Sequence, residues 1–242
     1  MYNRDPRRLP QEHKFSNYCL GLNTLNTQYI NITDAASLRV IGDITIKCWL
    51  KVSSTALSHF IVTKTVGSIA APWDFYILAP TGTLTFFRGN GAGSKVVSGY
   101  NIPVGRWFRL GLTMNATTRV VSFYRDGILI TSPIMPAGAV ADGGKDLKIG
   151  TRTDFAAYAT YLIDEIDVLN VCQTSEEMMN DALRGYARQE INSVLNLRLE
   201  EGGGLTVYDS SGNGNNGTLT PALTPPTWTR TAKYEPLTEA SF

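Results

Sequence analysis

The chain has 242 residues, of which 43% are hydrophobic and 18% are charged, a balance that allows a sizeable core and argues against a disordered protein. Its formal net charge is +1, so it has no strong field to recruit nucleic acid or an anionic membrane, and we expect neither as a partner. The 22 glycines and 11 prolines are typical of many short strands joined by tight turns.

The N-terminal segment 1–15 is polar and shows no periodicity, which predicts an extended arm. Arg7 and Arg8 make this arm mildly basic. The segment lacks the apolar run of a signal peptide, and no window of about 18 apolar residues marks a transmembrane helix. We therefore expect the protein to be made in a cytoplasm.

Alternating apolar and polar residues from Tyr18 onward predict a series of strands. The clearest strand runs over 43–52, with Ile44, Ile46, Cys48, Leu50 and Val52 on one face and Thr45, Lys47, Trp49 and Lys51 on the other. The same alternation predicts further strands at 29–33, 59–65, 74–78, 83–88, 106–114, 119–125, 128–131, 147–150, 161–170 and 194–199.

Turn and cap residues separate these strands. Asp126-Gly127 is a hairpin dipeptide, because a type I′ turn needs positive φ at both central residues. Thr174 and Glu177 form a capping box before a predicted helix over Ser175–Arg184. The glycine-rich stretch 89–93 is interpreted as a loop and not as a phosphate cradle, because no helix follows it. Together the elements predict an all-β fold, a two-sheet antiparallel β-sandwich (jelly roll) with one short helix and extended terminal arms.

A Gly- and Asn-rich turn at 211–217 and a Pro- and Thr-rich tail complete the sequence. We therefore divide the chain into an N-terminal arm at 1–15, a jelly-roll domain at 16–220 and a C-terminal tail at 221–242. Isolated arginines and aromatic residues in the arms suit docking into pockets of neighbouring subunits. The candidate assembly residues are Arg7, Arg8, Trp228 and Tyr234.

Several motifs, taken in order along the chain, are similar to those of one fold family. They resemble the laminin-G-like jelly roll of the concanavalin A-like superfamily, which includes pentraxins and legume-type lectins. Each motif alone is weak, but their sequential spacing is specific. The resemblance implies a binding or assembly domain of this fold. The segments are 44–51 (ITIKCWLK), 105–110 (GRWFRL), 124–127 (YRDG), 163–170 (IDEIDVLN), 175–177 (SEE) and 209–217 (DSSGNGNNG).

The motif at 209–217 comes last here, whereas in many relatives it opens the domain. Because a jelly roll brings its ends close together, the same strand can be supplied from either end of the chain, as in a circular permutation. The alternative is the beginning of a second, truncated copy. Only 25 residues follow Gly217, too few for another sandwich, so the order favours permutation.

The sharpest enzymatic hypothesis is a retaining glycoside hydrolase. One such family on this fold carries Glu-x-Asp-x-(x)-Glu on a strand, and Glu165 and Asp167 match its first two acids, but Asn170 stands at the last position. Retaining hydrolysis needs two carboxyl groups about 5 Å apart, and an amide cannot donate a proton as a general acid. The only histidines are His13 and His59, so a His-based triad has few options. We therefore expect no enzyme activity.

The resemblance also implies a structural Ca²⁺, with Asp209 and Asp164 as candidate ligands, because relatives often hold one near this turn. The alternative is that Asp209 simply caps the Gly/Asn turn. For a glycan, the candidate stacking platform is Trp73, which follows Ala-Pro in a loop. Trp49 is instead interpreted as packing under the helix or a terminal arm.

Two functions follow from these patterns. The first is a non-catalytic structural protein, most simply a virion component such as a phage capsid decoration, fibre or tail-surface protein, assembled as a homo-oligomer or with other virion proteins. The alternative is an extracellular carbohydrate-binding module of a glycan-active system, which rests on the fold analogy and on Trp73. The two can coexist, because a virion surface protein can bind host polysaccharide.

Overall fold

The structure is a computed structural model that describes residues 18–64, 72–89, 94–138, 140, 142–152, 157–184 and 190–230. Within these residues, two antiparallel sheets of eight strands each pack face to face around a hydrophobic core. This confirms the predicted two-sheet sandwich with one short helix. None of the helices in the described part of the chain has the length and apolarity needed to cross a membrane.

The described residues form eighteen strands, one α-helix and two short 3₁₀ helices. In order, the strands are β1 (Tyr18–Leu22), β2 (Tyr29–Ile32), β3 (Ile44–Val52), β4 (His59–Thr63), β5 (Asp74–Leu78), β6 (Thr83–Arg88), β7 (Ser94–Asn101), β8 (Phe108–Met114), β9 (Val121–Arg125), β10 (Ile128–Thr131), β11 (Leu147–Ile149), β12 (Thr151–Arg152), β13 (Ala157–Tyr158), β14 (Tyr161–Leu169), β15 (Ser193–Leu197), β16 (Thr206–Val207), β17 (Gly217–Thr220) and β18 (Thr227–Arg230). Helix α1 spans Ser175–Arg184, and short 3₁₀ helices span Thr24–Asn26 and Ala36–Leu38.

Sheet A has the spatial order β10-β9-β8-β3-β14-β1-β18, and β15 also pairs with β14. Sheet B has the order β16-β17-β2-β11-β4-β5-β6-β7. Strands β12 and β13 form a separate two-stranded hairpin. Strands from distant parts of the chain therefore lie side by side in both sheets, as in a jelly roll.

Strand β3 has the two faces that its alternation predicts. Its outward face is not solvated, however: Lys47 is 0% exposed and Trp49 is 7% exposed, because α1 packs over this side of sheet A. Its inward face lies in the core and consists of Ile44, Ile46, Cys48, Leu50 and Val52.

Helix α1 begins at the predicted capping box. Glu177 N donates to Thr174 Oγ1 over 3.2 Å, and Thr174 N donates to Glu177 Oε2 over 2.7 Å. The helix lies close to β8, since a Cβ added to Gly111 would come within 2.2 Å of Met178 Cε. A glycine at this position therefore allows the helix to rest on the sheet.

The C-terminal part of the chain supplies a strand to each sheet. Strand β17 pairs with β2 in sheet B, and β18 pairs with β1 in sheet A. A bridge between Leu197 and Asp209 joins the Asp-Ser-Ser-Gly-Asn stretch to the sandwich. Gln28 Nε2 holds the connection before β18 by donating to the Pro225 carbonyl over 2.8 Å. The sandwich thus extends to Arg230, beyond the boundary at residue 220 that composition predicted.

Candidate functional site

Five charged residues meet between the outer face of sheet A and α1 and are here called the ion network: Lys47, Arg109 and Asp167 of the sheet, Asp181 of the helix, and Glu190, which follows the helix. Lys47 Nζ lies 2.7 Å from Glu190 Oε1, 3.1 Å from Asp181 Oδ1 and 3.7 Å from Asp167 Oδ2. Arg109 Nε lies 2.8 Å from Asp181 Oδ2. Asp181 of the helix therefore bridges two buried cations of the sheet, and the network fastens α1 in place.

Two aspartates of the ion network have opposite pKa shifts. Burial raises the pKa of the Asp167 carboxyl to about 6, although Lys47 acts to lower it. Ser193 Oγ donates to Asp167 Oδ1 over 2.5 Å. At Asp181 burial acts upward too, but the charges of Arg109 and Lys47 together lower the pKa of the carboxyl. Asp181 is thus the ionised partner of both cations, whereas ionised Asp167 is disfavoured by its surroundings.

The acids that match the glycosidase motif lie in this enclosed region. Glu165 is 2% exposed and has φ +47° at a bulge, where β14 changes partner from β1 to β15. Arg109 Nη1 donates to the Glu165 carbonyl over 3.0 Å, and Glu165 N donates to Asp164 Oδ1 over 2.8 Å. Glu165 therefore shapes the bulge and Asp167 belongs to the ion network, and neither faces an open groove in the described structure.

The candidate sugar platform Trp73 is not available to a ligand. Its side chain is 0% exposed and belongs to the hydrophobic core, on the same side of the chain as Phe75 and Ile77. A ring enclosed on both faces cannot stack on a sugar, so this prediction is corrected. Trp49 is enclosed as well, with the Arg109 guanidinium 6.0 Å from its ring centroid, which supports the interpretation of Trp49 as a packing residue.

Asp209 organises the turn that follows it. Its Oδ1 accepts from Asn196 N and Ser211 N, both over 2.9 Å, and its Oδ2 accepts from Ser211 Oγ over 2.7 Å and Asn215 N over 2.9 Å. These bonds use the roughly four lone-pair sites of a carboxylate, a pattern that favours the turn-capping alternative for Asp209, and the calcium site stays a prediction. Asp164 is fully buried within β14. Across the described residues, no three His, Cys, Asp or Glu side chains converge as a metal site would require.

The candidate assembly residues fall into two groups. Trp228 lies in β18, where its half-buried ring packs against the core and its Nε1 donates to the Gly204 carbonyl over 3.2 Å. It therefore docks on its own sandwich. Arg7, Arg8 and Tyr234 lie outside the described residues.

The outer face of sheet B carries a group of aromatic and charged side chains that are buried to different degrees, and two of them, Asp74 and Phe60, are 0% and 5% exposed. We define the aromatic–arginine cluster as Phe60, Asp74, Tyr76, Phe87 and Arg152. The ring centroids of Phe60 and Tyr76 are 5.1 Å apart. The Arg152 guanidinium lies 5.7 Å from the Phe87 ring centroid, and its Nε lies 3.3 Å from Asp74 Oδ2. The rings of Tyr76 and Phe87 remain half-buried, so part of each is open to a ligand.

The chemistry of this cluster suits a polyhydroxylated ligand. Burial, and then the charge of Asp74, raises the pKa of the Tyr76 hydroxyl, so this group stays protonated at neutral pH and can donate a hydrogen bond. Aromatic rings supply apolar stacking surface, and a few fixed polar groups orient a bound molecule. Lys148, 5.0 Å from the Tyr29 ring centroid, repeats the pairing of a cation with a ring farther along the sheet.

Sequence reasoning did not single out this cluster, although part of the signal is local. Tyr76 and Phe87 occupy outward positions of strands whose inward positions are apolar, and a large ring at such a position is unusual for a solvated face. Arg152 gave no signal, because it comes from the β12–β13 hairpin and reaches Asp74 only in the folded sheet.

A family model described as the concanavalin A-like lectin/glucanases superfamily matches residues 24–179, more than half of the chain. The chain belongs to this superfamily. The matched part includes the whole aromatic–arginine cluster, whereas the Asp209 turn and β15 to β18 of this concanavalin A-like protein lie beyond it. No curated protein matches the sequence.

Solved structures share the concanavalin A-like fold at low sequence identity. A proposed carbohydrate-binding protein from Bacteroides ovatus has a TM-score of 0.71 at 14% identity, over 89% of this chain and 60% of its own. A heptameric SAP-like pentraxin from Limulus polyphemus has a TM-score of 0.53 at 10% identity, over 69% of this chain and 82% of its own. Domain 4 of an extracellular arabinanase from Geobacillus stearothermophilus, solved with arabinotriose, has a TM-score of 0.52 at 15% identity, over 64% of this chain and 72% of its own. At these identities the likeness shows the fold alone.

Proposed function

We propose that this concanavalin A-like protein is a carbohydrate-binding domain whose sugar site is the aromatic–arginine cluster. The observation that carries the proposal is the position of Arg152, which lies between Asp74 and the Phe87 ring next to the half-buried Tyr76. Aromatic rings beside an orienting guanidinium are groups that sugar recognition uses, and the buried Asp74 carboxylate holds this guanidinium in place. The Bacteroides ovatus protein and the arabinanase domain support the same class of ligand.

The proposed role is binding without catalysis. On sheet A, the two acids of the glycosidase motif are 2% and 0% exposed, at Glu165 and Asp167, and α1 lies over that face. A glycosidic bond cannot approach carboxyl groups in such surroundings. On sheet B, Asp74 is the acid of the cluster and is engaged by Arg152.

A glycan array followed by calorimetry on a hit tests this function. Tyr76→Ala and Phe87→Ala each remove a ring from the cluster, and each should weaken binding about two- to tenfold, since an aromatic contact is worth about 0.5–1.5 kcal/mol. Tyr208→Ala is the matched control, because Tyr208 is 59% exposed and follows β16 at the far edge of sheet B. Hits that bind both cluster variants as tightly as the wild type would refute the assignment.

A second proposed function is assembly, as a homo-oligomer or as a component of a virion or another extracellular particle. The observation that favours it is the edge strand β10, which carries no charged residue and whose Ile128 and Leu129 are 57% and 46% exposed. Uncharged, apolar edge strands are ready templates for pairing with another copy. Native mass spectrometry should find an oligomer for the wild type and a monomer for Leu129→Lys, and a monomeric wild type would contradict this proposal.

A further inference from the structure

Arg88 occupies an unusual position for a charged residue. It is the last residue of β6 and follows Leu84 and Phe86 on the inward side of the strand, so its side chain lies between the two sheets at one end of the core. Its exposure is only 1%. Alternation alone would place an apolar side chain there.

The Arg88 guanidinium is incompletely satisfied. Its Nη2 donates to the carbonyls of Ile41 and Gly42, the latter over 2.9 Å, and its Nη1 contacts Met114 Sδ. Its Nε is buried and has no hydrogen-bond partner in the described structure. A buried donor without a partner is costly, so an acceptor supplied from outside the chain would be stabilising at this group.

The charge of Arg88 also has no close counter-ion among the residues that the structure describes. The described residues place no carboxylate in an ion pair with it; Asp43 acts on it only at longer range, while Asp43 Oδ1 accepts from Ala116 N over 2.7 Å. Burial lowers the pKa of Arg88 to about 10, which leaves it a cation at neutral pH. A buried cation without an ion-paired partner is costly, so an anion from solution would be stabilising at this place.

A cavity of about 210 Å³ opens beside Arg88, between the ends of β6 and β8. Arg119 is a second cation in its lining, held in a turn in which Arg119 N donates to the Asn115 carbonyl over 2.8 Å. The described residues that line the cavity include no acidic side chain, and the others that face it are mainly apolar, among them Ile41 and Met135.

We propose that this cavity binds a small organic carboxylate, whose charge is held by Arg88 and Arg119 and whose apolar body lies against Ile41 and Met135. Planar carboxylates match the donor fork of a guanidinium. The apolar lining favours a monoanion with a hydrocarbon body over a phosphate dianion, because a dianion loses far more hydration on entering such a cavity. This site is separate from the sugar site and does not depend on it.

Butyrate is a suitable probe, with butyramide as its uncharged counterpart of the same shape. Titration of the ¹⁵N-labelled full chain with sodium butyrate, at ionic strength held constant with chloride, should shift the Arg88 Nε–Hε resonance in a saturable way. Arg119→Ala should weaken the affinity about tenfold, equivalent to about 1.4 kcal/mol. Arg88→Met should abolish saturable binding. The resonance that is missing from the spectrum of this variant is that of Arg88 Nε–Hε, so the variant also assigns it. Arg198→Ala removes an exposed arginine outside the cavity and should leave the affinity unchanged.

Butyrate, butyramide and phosphate are all titrated into the wild-type protein. This test therefore does not depend on whether any variant folds. Saturable binding of butyrate, with none of butyramide, supports the proposal. A lack of any saturable shift, an equal response to butyramide, or an affinity for phosphate that matches that for butyrate would overturn it.

Discussion

Asp167→Asn is expected to change how the stability of this protein depends on pH. Asp167 is fully buried, and its Oδ1 accepts from Ser193 Oγ over 2.5 Å. An asparagine has nearly the same shape and keeps an oxygen for that hydroxyl. Lys47 would retain Asp181 and Glu190 at 3.1 and 2.7 Å. The substitution therefore removes one buried negative charge and leaves the rest of the ion network in place.

The magnitude follows from the pKa of Asp167 in the folded and unfolded states. Burial raises this pKa from 3.8 to about 6, which at about 1.4 kcal/mol for each pH unit corresponds to about 3 kcal/mol. Between about pH 4 and pH 6 the native state keeps a proton that the unfolded state releases, so the free energy of unfolding falls as the pH rises through this window. Above about pH 6 both states are ionised and the whole penalty is present.

The asparagine variant carries no such penalty. At about pH 7 it should therefore exceed the wild type in free energy of unfolding by up to about 3 kcal/mol, and the two proteins should converge below about pH 4. Urea unfolding at a series of pH values, followed by tryptophan fluorescence, measures this difference. Glu200→Gln, which removes an exposed carboxylate, is the control and should keep the wild-type slope. An Asp167→Asn protein with the wild-type slope, or with lower stability at neutral pH, would refute the reasoning from burial.

Three other substitutions or probes address the packing. Asp181→Leu leaves two buried cations, Lys47 and Arg109, without their shared carboxylate. The free energy of unfolding measured in urea should therefore fall by about 3–5 kcal/mol. An unchanged urea midpoint would contradict this. Gly150→Ala puts a Cβ at φ +95° and 2.6 Å from a leucine side chain, so it should cost about 1–3 kcal/mol, whereas Gly203→Ala, with open space around it, should be nearly neutral. Burial raises the pKa of Cys48 to about 12, so this thiol should react with a disulfide reagent only after unfolding in urea, and rapid labelling of the folded protein would show that the core opens.

Elements that depend on local pattern were predicted closely. Strands β5, β6 and β10 and helix α1 have the bounds that alternation, turn dipeptides and the capping box indicate. Asp126 and Gly127 have φ values of 52° and 78°, as the type I′ turn requires. These features are decided by a few neighbouring residues, so the sequence displays them directly.

Strands that depend on distant pairing were missed. The residues Thr227–Arg230 follow two prolines and carry too few apolar residues to indicate a strand, so composition predicted a tail. They form β18 because β1 offers an open edge, with Leu20 opposite Trp228. Pairing between the two ends of a chain leaves no local pattern that would predict it.

The surroundings of Lys47 and Trp73 could not be predicted from the sequence for a related reason. Alternation correctly placed Lys47 on the outward face of β3. Only the fold brings Asp181, which is 134 residues away in sequence, into contact with Lys47 and so buries the lysine. Trp73 follows a proline in a segment that resembles an exposed loop, yet it continues the inward side of β5 into the core. Which face of a strand a residue occupies is a local property, whereas what covers that face is not.

This distinction explains why the three polar regions of the sandwich support different roles. The charges under α1 pair with one another across the sheet and the helix, so they can be accounted for by folding alone. Tyr76 projects from the outer side of sheet B and is only half-buried, whereas Arg88 projects from the inner side of the same sheet and has an Nε without a hydrogen-bond partner in the described part of the chain. Both residues therefore offer contacts that the chain does not use itself. Because they lie on opposite sides of one sheet, loss of sugar binding in Tyr76→Ala and loss of carboxylate binding in Arg119→Ala are separable results, and neither can be mistaken for the failure of the other.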